Sequence, residues 1–172
     1  MVTVVEFFMQ RNVFTLIELL VVVAIIGILA AVGVVAYDGY TKSAKKQACT
    51  SNHKTAERYI TTEMNFCMLS TSSTAMNGNL NCSNMDNEKI AKAAADTLIN
   101  FKNPYDTNSN AITYDNNLTV RNIKDMGYNR ITTNGSGGSG DTVHIDSCCY
   151  FDTSQYGRCP NNNVLQSLIY TK

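Results

Sequence analysis

The 172-residue sequence has only 2 prolines and no excess of either charge, with 14 Lys plus Arg set against 14 Asp plus Glu. That balance excludes the basic footprint that holds nucleic acid and excludes an acidic tail. The scattered Arg121, Lys124 and Arg130 make no basic, aromatic-lined patch, so no specific nucleic acid is expected as a partner. No Ser, His and Asp set, no paired carboxylates and no Gly-x-Gly-x-x-Gly is present. The chain is therefore read as no enzyme, with no cofactor. Cysteine is absent from the first 48 residues and then occurs six times, at Cys49, Cys67, Cys82, Cys148, Cys149 and Cys159. That distribution places everything after the first third in an oxidising compartment.

What the first third has is an apolar run. Residues 14–36 contain only two clearly polar side chains, Thr15 and Glu18, and no base. As a helix rising ~1.5 Å per residue the run would be roughly 34 Å long, enough for a hydrocarbon core of ~30 Å. It reads as a membrane span with one acid in it. A carboxylate inside such a span costs about 2.5–3.5 kcal/mol on insertion scales, so Glu18 needs a partner. With no base in the segment, that partner is expected from outside it, as a positive chain terminus or a side chain of another copy.

The run Phe14-Thr15-Leu16-Ile17-Glu18, followed by unbroken apolar residues to Val32, closely resembles the N-terminal signature of type IV pilins and of the pseudopilins of type II secretion. The resemblance covers about 20 residues of the chain and implies a set of roles. A prepilin peptidase would cut between Val13 and Phe14, Phe14 would become the N-methylated terminus, and Glu18 would meet the Phe14 amine of a neighbouring subunit during assembly. The family places Gly before the cut, where this chain has Val13, bulkier than the peptidase normally accepts. It also usually has Pro near the end of the apolar run, where this chain reads Val32-Gly33-Val34-Val35. Gly27 and Gly33 can loosen the helix in its place.

Residues 1–13 are read as the leader. Residues 2–9 are unusually apolar for one and include Glu6, so Met9 is an alternative start, giving a short leader with Arg11 as its one base. An ordinary secretory signal would need a small-residue cleavage motif after the apolar run, and Val34-Val35-Ala36-Tyr37 is a poor one. Lys42, Lys45, Lys46, Lys54 and Arg58 follow the span, so the positive-inside rule alone would keep the C-terminal part in the cytosol. The cysteines and the motif outweigh that count, and the head is expected outside the cytoplasm.

The fold class expected is α+β. One helix is predicted from 14 to about 65, apolar all round in its first half and amphipathic over 37–65, where Tyr37, Tyr40, Ala44, Ala48, Ala56, Tyr59 and Ile60 recur at helical spacing. It is predicted to pack on an antiparallel β-sheet head formed by residues 66–172, a pilin-like arrangement. The Ser, Thr and Asn-rich stretch 69–87 reads as a loop, Asn87 as the cap of a helix over 88–101, and Asn103-Pro104 as its stop. Strands are predicted over 111–114, 118–123, 128–133, 142–145, 149–151 and 164–170, with the glycine-rich 134–140 as a hairpin tip.

Six thiols admit many pairings. The family resemblance implies a C-terminal disulfide loop, for which Cys149 to Cys159 fits, with Cys67 to Cys82 closing the loop after the long helix and Cys49 to Cys148 following by elimination. Cys148 and Cys149 can exchange roles in that scheme. Cys49 and His53 would share a helical face, but two ligands make no zinc site, and no metal is expected. His144 is read as structural, and Asp141, Asp146 and Asp152 as a solvated face without calcium spacing.

Together these readings describe a structural subunit of a type IV pilus. Its partners would be copies of itself in a helical homopolymer, the prepilin peptidase, an inner-membrane assembly platform and the membrane. It would wait in the bacterial inner membrane and end in a cell-surface filament serving adhesion, motility or DNA uptake. Alternatives are a pseudopilin or minor pilin of a type II secretion or competence system, and a permanently anchored extracytoplasmic binding domain.

Overall fold

The computed structural model describes residues 14–70, 73–115, 126–133, 142–150, 159 and 164–170. The leader over 1–13, the strand predicted over 118–123, the glycine-rich 134–140, Asp141 and Asp152 lie outside the described residues. Two compact units are present, one ending at Thr41 and the other beginning at Lys42.

The first long helix, α1, runs Leu16–Leu69, four residues beyond its predicted end. Within the first unit every described side chain from Phe14 to Tyr40 is exposed. The helix is long and apolar enough to cross a membrane. In the second unit its character changes to a single buried stripe: Cys49, His53, Ala56, Ile60, Met64 and Cys67. The steps of three and four residues between them follow the helical repeat. The tyrosine and alanine stripe predicted for 37–65 is corrected in its first half. Tyr37 and Tyr40 are 69% and 75% exposed, Ala44 and Ala48 face solvent, and burial starts at Cys49. The aromatic and alanine spacing was helical, but among the described residues of the second unit none covers Ala44 or Ala48.

The head is α+β, as expected. A short antiparallel pair, β1 (Thr74–Ala75) and β2 (Leu80–Asn81), replaces part of the predicted loop. The tight turn between them holds Met76 and Asn77 at φ of 51° and 55°. It is tied down by the Met76 amide donating to Glu63 Oε2 of α1 at 2.6 Å and by the Thr97 hydroxyl donating to the Met76 carbonyl at 3.1 Å. Helix α2 (Asn87–Thr97) begins one residue earlier and ends sooner than predicted. Its cap is Asp86 rather than Asn87: the Asp86 carboxylate accepts from the Lys89 amide at 2.8 Å, as an N-cap acid should.

Four strands, β3 (Ile112–Tyr114), β4 (Asn129–Thr133), β5 (Thr142–Cys148) and β6 (Val164–Tyr170), form the main sheet in that order. β4, β5 and β6 are antiparallel neighbours, but β3 and β4 run parallel, so the sheet is mixed rather than antiparallel throughout. A parallel pair needs a crossover connection instead of a tight hairpin, and the chain between Tyr114 and Asn129 supplies the length. β5 extends three residues past its predicted end, and residues 149 and 150 form no strand.

α1, α2 and the sheet share one core, with Ile60, Ile90, Ile112, Ile131, Val143 and Ile145 among its fully buried side chains. Gly127 has φ +83°, and a Cβ there would lie 1.9 Å from Asn103 Oδ1. Asn103 is itself buried, donating to the Met126 carbonyl and accepting from the Tyr105 amide.

The polar link from α1 to the sheet is His53. Nearly buried, it sits between two serine hydroxyls, Nδ1 to Ser147 Oγ at 2.7 Å and Nε2 to Ser167 Oγ at 2.9 Å. Ser147 donates onward to Asn129 Oδ1. Ser147 therefore accepts from an Nδ1–H, which leaves Nε2 as acceptor for Ser167 and describes a neutral imidazole. Burial pulls the His53 pKa below its ordinary 6.5, against the opposing charges of Glu57 and Asp146. Because the folded pKa lies below the unfolded one, this stability is complete above pH 6.5 and is lost as pH falls through and below it. Denaturant unfolding of the full chain in detergent at pH 7.5 and 5.5 is expected to show a lower midpoint at pH 5.5. The drop should shrink in His53→Gln, and equal drops in both proteins would rule His53 out as its source.

Candidate functional site

Among the described residues of the first unit, polar chemistry is concentrated at the start of α1. Thr15 precedes the first helical residue and Glu18 lies in the first turn. The Glu18 carboxylate accepts, through Oε2, from the Thr15 backbone amide at 2.8 Å and from the Thr15 hydroxyl at 2.7 Å. The Glu18 amide in turn donates to Thr15 Oγ1 at 3.4 Å. This is a capping box, Thr-x-x-Glu, in which the cap and the third helical residue satisfy each other's orphan amides. Within the chain, Thr15 is thus a hydrogen-bond partner of the Glu18 carboxylate. Only Thr15 and Glu18 are polar in the segment, and the three-residue spacing between them was the signal that could have found the pair. Both Thr15 bonds fall on one carboxylate oxygen, and Oε1 offers further acceptor sites.

Around this box the side chains are apolar and open. Phe14 is 71% exposed and Leu16 82%, and no described side chain of the unit covers them. A helix apolar on every face is the kind that is found buried in a large core or spanning a membrane.

The second unit carries the cysteines. Disulfides join Cys49 to Cys149, Cys67 to Cys82 and Cys148 to Cys159. The C-terminal loop is thus closed by Cys148 rather than Cys149, and α1 is tied to Cys149 rather than Cys148. Strand alternation explains the exchange. Val143, Ile145 and Ser147 point to the buried side and Ser147 meets His53, so Cys149, two residues on, stays on the helix side. Cys49 is one helical turn before His53 and meets it there. With its sulfur in a disulfide, Cys49 cannot pair with His53 on a metal. The Cys67–Cys82 bond closes a separation of 15 residues, a loop for which chain entropy contributes about 3 kcal/mol. His144 keeps a local contact, Nε2 to the Thr142 hydroxyl at 3.2 Å, and Asp146 accepts from Gln166 at 2.7 Å. Among the described residues no group of three His, Cys, Asp or Glu side chains could hold a metal ion.

Residues 14–34 match the family described as the prokaryotic N-terminal methylation motif. The chain carries the prepilin-type N-terminus of type IV pilins and pseudopilins. The matched segment begins at Phe14 and contains the whole Thr15–Glu18 box. The motif points to a structural, generally non-enzymatic protein, and an exposed apolar helix at this place fits a membrane-anchored precursor that is later assembled. No curated protein and no solved structure matches the chain.

The capping box makes Thr15 a measurable part of the prepilin-type N-terminus. Replacing an N-cap Thr by Ala costs roughly 1 kcal/mol, about a fivefold change in local opening. Thr15→Ala is expected to speed amide exchange over residues 16–19 by about that factor in detergent micelles, while Thr15→Ser retains protection. Unchanged exchange in Thr15→Ala would mean that the box does not hold the helix start.

Proposed function

We propose that the chain is the structural subunit of a type IV pilus. A prepilin peptidase cuts between Val13 and Phe14, the Phe14 amine is methylated, and the subunit leaves the inner membrane to polymerise through its N-terminal helix. The observation that carries this reading is the match over residues 14–34 on a helix exposed and apolar on all sides. Packing sister helices together removes that surface from water or lipid, and pairing of Glu18 with the Phe14 amine of a neighbour sets the axial register. Three disulfides in the head, one of them closing a loop near the C-terminus, suit an external fibre exposed to shear and proteases.

A pseudopilin or minor pilin of a secretion or competence system would share the N-terminus, and the disulfide-rich head favours the pilus subunit over it. Val13 favours a different reading, a permanently anchored extracytoplasmic domain, because a β-branched residue before the cut hinders cleavage.

The deciding measurement is the intact mass and N-terminal residue of the protein from sheared surface fractions and from membranes. The expected result is a chain beginning at methylated Phe14 in the sheared fraction. An unprocessed chain confined to membranes would overturn the pilus reading in favour of the fixed anchor, and Val13→Gly would then show whether that residue alone blocks processing.

Register has its own test, because Glu18 serves both the cap and the proposed pair. A charge-assisted hydrogen bond contributes about 1.5–3 kcal/mol, repeated here at every subunit, so Glu18→Ala is expected to lower filament yield by about tenfold or more. Thr15→Ala removes the cap and keeps the carboxylate, and its yield should stay near wild type. Equal losses in the two variants would assign the role of Glu18 to capping instead of register.

A further inference from the structure

Lys42, Lys45 and Lys46 are the bases that the positive-inside rule would put in the cytosol, and they occupy one place on the second unit. Spacings of three, four and seven residues put all of them on the α1 face that carries Cys49. Cys49 is bonded to Cys149, and the Cys149 carbonyl accepts from the Tyr105 hydroxyl at 2.8 Å. That staple brings two tyrosines against the lysines. Lys46 Nζ lies 4.7 Å from the centroid of the Tyr150 ring and Lys45 Nζ 5.8 Å from that of Tyr105, both within cation–π range. All three lysines are exposed, and among the described residues none of them takes part in a salt bridge. A ring face neutralises none of an ammonium's hydrogen-bond donors, so these groups remain open to oxygen acceptors.

We propose that this patch binds the phosphodiester headgroups of anionic phospholipids at the surface of the membrane that anchors the chain. The inference rests on the membrane-anchored reading above. Lys42 follows Ala36, the last residue of the apolar run, by six positions and Lys46 by ten, the stretch in which a chain leaving the hydrocarbon meets headgroups. Lysine with tyrosine is the composition of that layer: the ring sits at headgroup level, and the long stem reaches back to phosphate. Single-stranded nucleic acid fits less well. It needs open aromatic faces on which bases stack, and here a lysine lies over one face of each ring. The patch also gives the extracytoplasmic lysines a use consistent with the cysteines, by holding the waiting subunit to its own leaflet.

The test uses the full chain in nanodiscs of phosphatidylcholine alone or with phosphatidylglycerol. Lysine acetylation rates are read by mass spectrometry, with Lys54 and Lys89 as internal references. A lysine near an anionic surface gains about 1 kcal/mol, so labelling of Lys42, Lys45 and Lys46 should slow by about fivefold in the anionic discs only. Raising the salt to high concentration should restore it. Equal rates in the two lipids, from chain that co-migrates with the discs, would overturn the headgroup site and leave the membrane reading intact. Chain that fails to co-migrate would overturn both. Protection by an added oligonucleotide in phosphatidylcholine discs, without protection by phosphatidylglycerol, would assign the patch to nucleic acid and overturn the proposal. So would protection that tracks the number of chains per disc rather than lipid charge, which would assign it to a second copy.

Discussion

The stripe of α1 from Cys49 to Cys67 is the constraint on which the head depends. It presents a sulfur, an imidazole, a run of apolar side chains and a second sulfur, each at helical spacing, and each meets a different part of the chain. Cys49 fixes the end of β5, His53 bridges β5 and β6, Ile60 enters the common core, and Cys67 holds β2. The head is small, and the surface that a domain of this size can bury leaves a modest margin of stability. Covalent closure at both ends of the stripe constrains the unfolded chain more than the core could alone, because the outer bond closes a separation of 100 residues.

Much of this was legible in the residues, and the failures have definite physical causes. The apolar run, the long helix, the second helix and β6 follow from periodicity and composition, which report burial directly. The parallel placement of β3 beside β4 could not be read, since strand order depends on which surfaces meet after the chain crosses over. The cysteine exchange was within reach. It needed the alternation of β5 carried past Ile145 to Cys148, through Asp146 and Ser147, two polar residues whose partners, Gln166 and His53, only the fold supplies. The cap of α2 moved by one residue for a similar reason: Asp86 and Asn87 are both good caps, and only the geometry of the Lys89 amide distinguishes them.

In the proposed assembly Glu18 would meet two requirements that differ in time. In a span with no base, a carboxylate needs donors before any neighbour is present, and the Thr15 amide and hydroxyl supply two. These are groups that the helix start would otherwise leave unpaired, so the box removes two costs with one contact. Both bonds converge on Oε2. The other oxygen still offers lone pairs along a different direction, so the amine of the proposed pair would bind without first dismantling the cap. A carboxylate held in a fixed rotamer also loses less freedom on pairing than a mobile one would. In the proposed assembly the cap and the pair are separate uses of one carboxylate: Oε2 holds the helix start, and Oε1 is left for the neighbour's amine.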